Sequence, residues 1–227
     1  MIYSENILVC IVIPLLISAL FTRKGTRRFL VALAIGMISC LLSAYITGFV
    51  EFMSEFTPEE MSAFYAPIFE ELLKLMPLLF YLFVFDPKTS SLFSAGLGIG
   101  LGFATFENCC YILSYGAEDL SYVMIRGMSV GVMHLVCALT LVFGLTSARR
   151  FRVLSLPAVI GAISLSMVFH GLYNMLVSKP GLSSVIGYAM PVITAVAIYF
   201  PFHSLIDHEP GPEQNDTDNY DAGKKFW

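Results

Sequence analysis

Apolar runs long enough to cross a bilayer recur near residues 3–21, 29–50, 61–85, 92–114, 121–147, 154–178 and 184–206, separated by short polar connections. A helical span needs roughly 20 mainly apolar residues. In hydrocarbon each backbone N–H and C=O must find its partner within the protein, so a run of this length takes the form of a helix. The pattern predicts an all-α, polytopic membrane bundle of seven transmembrane helices. It forms one domain over residues 1–206, followed by a polar tail at 207–227.

The basic residues orient this bundle. Alternate connections hold Arg23, Lys24, Arg27 and Arg28, then Lys88, then Arg149, Arg150 and Arg152, whereas the other set holds only Lys179. The excess of Lys and Arg on cytoplasmic loops predicts an outside N-terminus and a cytoplasmic C-terminus. The connections expected outside are acidic, with Glu51, Glu55, Glu59, Glu60, Glu118 and Asp119.

Composition identifies the solvent. Hydrophobic residues make up 57% of the 227 positions and charged residues 13%, with mean hydropathy +0.76, so lipid is expected around most of the surface. The net charge of −4 comes from the tail, where Asp207, Glu209, Glu213, Asp216, Asp218 and Asp221 face only Lys224 and Lys225. That composition predicts disorder. No basic stripe points to nucleic acid. All five cysteines lie in apolar runs, which argues against a disulfide framework. The first run lacks a basic leader and is long enough to span, so a retained helix is expected rather than a cleaved signal peptide.

Away from the ends of the runs stand seven ionisable residues: Glu70, Glu71, Lys74, Glu107, Arg126, His134 and His170. A charge at the bilayer centre costs at least ~2.5–3.5 kcal/mol on insertion scales, so such residues face the bundle interior and mark function. Glu70 and Glu71 lie roughly 15 Å below the entry of their helix at 1.5 Å per residue. Similar counting puts all seven, from four helices, in the outer half of the bilayer. Glu70 and Lys74, Phe103 and Glu107, and His170 and Asn174 each stand at i and i+4 on one helix face. Taken singly, each has a plainer reading: a Glu–Lys pair can fix helix packing, and an intramembrane histidine can bridge two helices. Seven converging residues favour a site.

The set contains what peptide hydrolysis requires: a base for water, donors for the developing oxyanion and a proton for the leaving amine. Glu70 or Glu71 is the candidate base. His170, His134 and Asn174 are candidate donors or shuttles, and Lys74 and Arg126 tune the carboxylates. No cofactor is required in this scheme. Zinc is the alternative, with His134, His170 and either Glu107 or Glu70 as ligands and an open position for water. Cys137, three residues after His134, reads as a packing cysteine. The run Gly96-Leu-Gly-Ile-Gly-Leu-Gly102 lies within a span and reads as a close-packing surface, not a phosphate loop.

Phe69-Glu-Glu-Leu-Leu-Lys74, Phe103-Ala-Thr-Phe-Glu-Asn108, Arg126 leading to His134, and Phe169-His-Gly-Leu-Tyr-Asn174 occur in this order on consecutive helices. At these residues the chain resembles the PrsW family of intramembrane proteases, within the wider group that includes the CAAX prenyl endopeptidases. The resemblance implies a membrane peptidase in which Glu70 and Glu71 are the paired glutamates, His170 the last histidine, and Phe103 and Asn108 supporting motif residues. Glu107 stands where the CAAX enzymes have a histidine. The resemblance also implies a single-pass membrane substrate, such as an anti-sigma factor cut on its external side. Two readings from other classes are a non-catalytic membrane scaffold and a proton-coupled transporter, which also uses chains of Glu, His and Lys.

Overall fold

The computed structural model describes residues 4–116 and 119–207. Seven long helices account for the fold: α1 (Ser4–Leu20), α2 (Lys24–Met53), α3 (Ala66–Phe85), α4 (Thr89–Tyr115), α5 (Leu120–Arg150), α6 (Ser155–Val177) and α7 (Leu182–Asp207). Among the described residues there is no strand. The expected tail from residue 208 lies outside the described residues. Each observed helix overlays one apolar run, and α2, α4 and α5 extend several residues past the predicted limits.

The surface is apolar and the ionisable cluster is inside. Phe49, Phe52, Phe80, Phe83, Met124 and Val168 are exposed on the helix backs, whereas Glu71, Lys74, His134 and His170 are buried. This inversion of the soluble pattern is what a lipid solvent requires. The helix α2, residues 89–114 of α4, α5 and α6 are long and apolar enough to cross a membrane, and α1 and α7 contain shorter apolar helices. In α3, 20 residues long, Glu70, Glu71 and Lys74 interrupt an otherwise apolar sequence. The protein is a multi-pass membrane protein.

The glycine run packs against two neighbours, one more than expected. A Cβ on Gly98 or Gly102 would meet α2 at Phe29 or Leu33, with the Leu33 oxygen 2.0 Å from that of Gly102. Gly96 and Gly100 turn instead to α5, where a Cβ on Gly100 would lie 3.0 Å from the His134 oxygen. From the α2 side of the same interface, Gly36 meets Ile99 of α4. Glycine at alternate positions therefore lets α4 sit close to α2 and α5 at once. The approach at Gly100 brings α5 into register with Glu107, two turns further along α4.

The entry to α3 departs from the expected regular helix. A short turn at Pro58–Glu60 is held by a reciprocal box: the Glu60 N–H donates to the Thr57 hydroxyl at 3.2 Å, and the Thr57 N–H donates to Glu60 Oε2 at 2.9 Å. A π-helical turn follows over Met61–Tyr65, closed by the Ala66 N–H donating to the Met61 oxygen. The next residue, Pro67, has no N–H, so the carbonyl of Ser62 is left without its donor in this register. Asn174 of α6 supplies one, its Nδ2 donating to the Ser62 oxygen at 2.9 Å.

At the opposite end, Asp86 ends α3 in the left-handed region (φ 37°). Arg149 at the end of α5 clamps this turn, reaching Asp86 Oδ1 at 3.3 Å, the Pro87 oxygen at 2.6 Å and Thr89 Oγ1 at 3.2 Å.

Candidate active site

All seven ionisable residues singled out in the sequence belong to one chain of contacts. Arg126 of α5 donates to Glu107 Oε1 of α4 at 3.3 Å, and the other oxygen of Glu107 meets His134 Nε2 of α5. His134 Nδ1 faces Lys74 Nζ of α3 at 2.7 Å. Lys74 donates to Glu71 Oε1 at 2.6 Å, and the same oxygen receives His170 Nδ1 of α6 at 2.8 Å. His170 Nε2 then faces Glu70 Oε2 at 3.7 Å.

The pairing differs in one respect from the helical spacing. Glu70 and Lys74 are an i, i+4 pair, yet Lys74 binds Glu71, three residues before it. Both are wholly buried, and the short bond satisfies the ammonium where no water reaches. Glu70 is thereby left free. Its Oε2 is buried with no hydrogen-bond partner, as is Oε2 of Glu71. Glu70 and His170 both line a cavity of about 500 Å³, together with Ser62, Glu107, Arg126 and Tyr173.

The supporting motif residues separate into two groups. Phe103 packs at the junction of the chain, its ring centroid 4.4 Å from Lys74 Nζ and 4.9 Å from the His134 ring. Asn108 stands apart, lining a smaller space with Tyr111 and Arg126, and its buried Oδ1 has no partner. Asn174 lines the main cavity while one of its N–H groups holds the π-turn. Cys137 is buried with its thiol directed at the Ser166 oxygen at 3.6 Å, a packing position.

The histidine partners define ring states. Nδ1–H of His170 donates to the Glu71 carboxylate, which leaves Nε2 with its lone pair toward Glu70. Lys74 as an ammonium has only protons to offer, so His134 Nδ1 accepts and Nε2–H donates to Glu107.

Glu70, His134 and His170 each present a ligand atom within 4.8 Å of the others, a group of the kind that holds a metal ion. Among the carboxylates considered for zinc, Glu70 and not Glu107 belongs to this group. Glu70 Oε2 and His170 Nε2 have free lone pairs, and Glu71 orients His170 as carboxylates behind metal-bound histidines do. His134 has both ring nitrogens engaged, so in the arrangement present it offers no third donor.

The sequence reading passed over the tyrosines and Ser62. Tyr111 stacks on Arg126, 3.4 Å from ring centroid to guanidinium carbon, and its hydroxyl is 2.9 Å from that of Tyr122. Tyr173 lay inside a quoted motif but drew no attention beside His170 and Asn174. Ser62 acts through its backbone, and the signal for it was Pro67, five residues on.

A family model described as PrsW family intramembrane metalloprotease matches residues 24–205. No curated protein and no solved structure matches the chain.

Proposed function

Because the chain belongs to the PrsW family, a membrane peptidase family, we propose that it is an intramembrane endopeptidase in which Glu70 activates the hydrolytic water. One observation carries this reading: Glu70 Oε2 is buried, has no partner and faces His170 Nε2 across 3.7 Å at the wall of the cavity. A water placed between them donates one proton to Glu70 and the other to the His170 lone pair, which aims its oxygen lone pairs into the cavity. As the water attacks the carbonyl carbon of the scissile peptide, Glu70 takes its proton and then delivers it to the amine that leaves. Positioning and proton transfer thus reside in one carboxylate.

The remaining groups keep this pair in its working state. Glu71 fixes the His170 ring through Nδ1, and Lys74 neutralises Glu71. Arg126 neutralises Glu107 at the far end of the chain, and His134 donates a hydrogen bond to it. Glu70 remains the carboxylate with an unengaged buried oxygen facing the cavity.

Zinc on Glu70 and His170 would add Lewis acidity toward the scissile carbonyl, with His134 joining only after release from Lys74 or Glu107. We favour the glutamate route because both ring nitrogens of His134 are engaged, by Lys74 and Glu107. The substrate proposed is a single-pass membrane protein, such as an anti-sigma factor, cut on its external side. The distribution of basic residues supports a cavity opening outward. A scaffold would have no need of a free base in a peptide-sized cavity, and a proton-coupled transporter would move protons without cutting the substrate.

The test is cleavage of single-pass substrates by the purified protein in liposomes, with Glu70→Gln and His170→Ala as variants. Folded variants that no longer cut support the peptidase. Cleavage by Glu70→Gln at the wild-type rate overturns the assignment of the base, and stable binding without cleavage by wild type favours the scaffold.

A further inference from the structure

Tyr173 is 2% exposed, and its hydroxyl is buried with no hydrogen-bond partner. The ring is anchored against Val130, Met133 and Cys137 of α5, with Tyr188 of α7 beside it. Ser129 lies near the hydroxyl but makes no hydrogen bond with it, and its own proton goes to the Tyr188 oxygen at 3.1 Å. Leaving a buried hydroxyl unpaired costs free energy that an apolar ring of the same shape would avoid. The hydroxyl is therefore open to a partner that enters the cavity.

The surroundings specify that partner. Tyr173 is three residues after His170, on the same side of α6, and lines the same cavity. Arg126 lines it too, and its buried Nε–H is also without a partner, although its terminal nitrogen holds Glu107. The cavity lining therefore includes two unfilled donors besides Glu70 and His170. A ligand that fits must present hydrogen-bond acceptors without charge, since Glu107 already neutralises Arg126. Carbonyl oxygens of an extended peptide meet this requirement. Those of an intact helix do not, being engaged in the helix itself. A volume near 500 Å³ holds a few residues of extended chain.

We infer that the Tyr173 hydroxyl, together with Arg126 Nε in the same cavity lining, binds a main-chain carbonyl of the substrate, forming a subsite for an unwound, extended peptide segment. The inference rests on the peptidase reading above and extends it to the conformation of the substrate at the cleavage point. Tyr173 is a substrate-holding residue here, distinct from the base.

The experiment compares wild type with Tyr173→Phe, using Ser129→Ala as control, on one membrane-anchored substrate in liposomes. Binding of the same substrate is measured directly in the Glu70→Gln background with and without Tyr173→Phe. Loss of one neutral hydrogen bond predicts KM and Kd about fivefold higher, with kcat and thermal midpoint unchanged and Ser129→Ala like wild type. Unchanged KM and Kd would overturn the subsite, leaving the hydroxyl to water alone. A fall in kcat at constant KM would also overturn it by making Tyr173 a transition-state donor, as would a Ser129→Ala variant with the same defect. If wild type cuts nothing but Tyr173→Phe still weakens binding, the peptidase reading fails and the subsite stands. Absence of both cutting and binding removes both.

Discussion

Lys74 and His134 meet in the bundle core, Nζ 2.7 Å from Nδ1, and both are wholly buried. Glu71 on one side and Glu107 on the other convert this contact between two basic groups into the middle of an alternating chain. Removing the lysine strands the carboxylate of Glu71. Lys74→Met is expected to destabilise the protein by ~3–5 kcal/mol, the scale for breaking a buried ion pair from one side. The double variant Glu71→Gln, Lys74→Met should recover part of that loss. Urea unfolding in detergent measures both, and equal midpoints for Lys74→Met and wild type would contradict the pairing.

The two adjacent glutamates should separate in their effects. Glu70→Gln is expected to lower cleavage by about 10²–10⁴-fold, as for loss of a general base, with little change in the unfolding midpoint because Oε2 has no partner to lose. Glu71 holds both Lys74 and His170, so Glu71→Gln should reduce stability as well as activity. Rate and midpoint, measured on the same preparations, distinguish the two.

Most of this arrangement was legible in the sequence, for reasons specific to membranes. Lipid forces helices and penalises stray charge, so apolar runs located all seven helices and the remaining ionisable residues located the cluster that the structure brings together. The partner of Lys74 was not legible. The Glu70 and Glu71 side chains differ by about 100° around α3, and which of them Lys74 meets depends on the positions of α5 and α6. The π-turn was also missed, because its cause lies in register and a missing N–H and not in hydrophobicity. Hydropathy is blind to hydroxyls such as that of Tyr173.

Metal removal bears on His134. With Lys74 on Nδ1 and Glu107 on Nε2, the third donor of the Glu70, His134 and His170 group is engaged. Cleavage is therefore expected to persist after strong chelation, and the purified protein should contain well under one equivalent of zinc by elemental analysis. Stoichiometric zinc, lost together with activity, would reverse the choice between the two routes.

Glycine replacements grade the helix packing. Gly102→Ala would place a methyl 2.0 Å from the Leu33 oxygen, and Gly36→Ala one 2.2 Å from that of Ile99. Both should destabilise by about 1–3 kcal/mol or more through displaced backbone. At Gly161 nothing lies within 4 Å, so alanine there should be neutral or stabilise by up to about 1 kcal/mol. A ranking of unfolding midpoints in one detergent is sufficient.

The turn before α3 gives a pH signature. Hydrogen bonds from the Thr57 N–H and hydroxyl hold the Glu60 carboxyl below its usual range. A depressed folded value stabilises the turn above the unfolded value of about 4.3, and this contribution is lost as pH falls through the folded value. The protection factor of the Thr57 amide, its slowing relative to the intrinsic exchange rate at each pH, should be high near neutrality and fall on acidification, whereas in Glu60→Gln that acid-dependent fall should disappear.

Pro67 and Asn174 also constrain each other genetically. The proline withholds a proton from the Ser62 carbonyl and the asparagine supplies one from another helix, so substitutions at the two positions are not independent. An N–H restored at position 67 would make the asparagine amide redundant for the turn, whereas loss of the asparagine alone would leave a bare carbonyl beside the cavity. Inheritance of a change at Asn174 is therefore conditional on one at Pro67, a dependency imposed on α6 by a residue with no chemistry of its own.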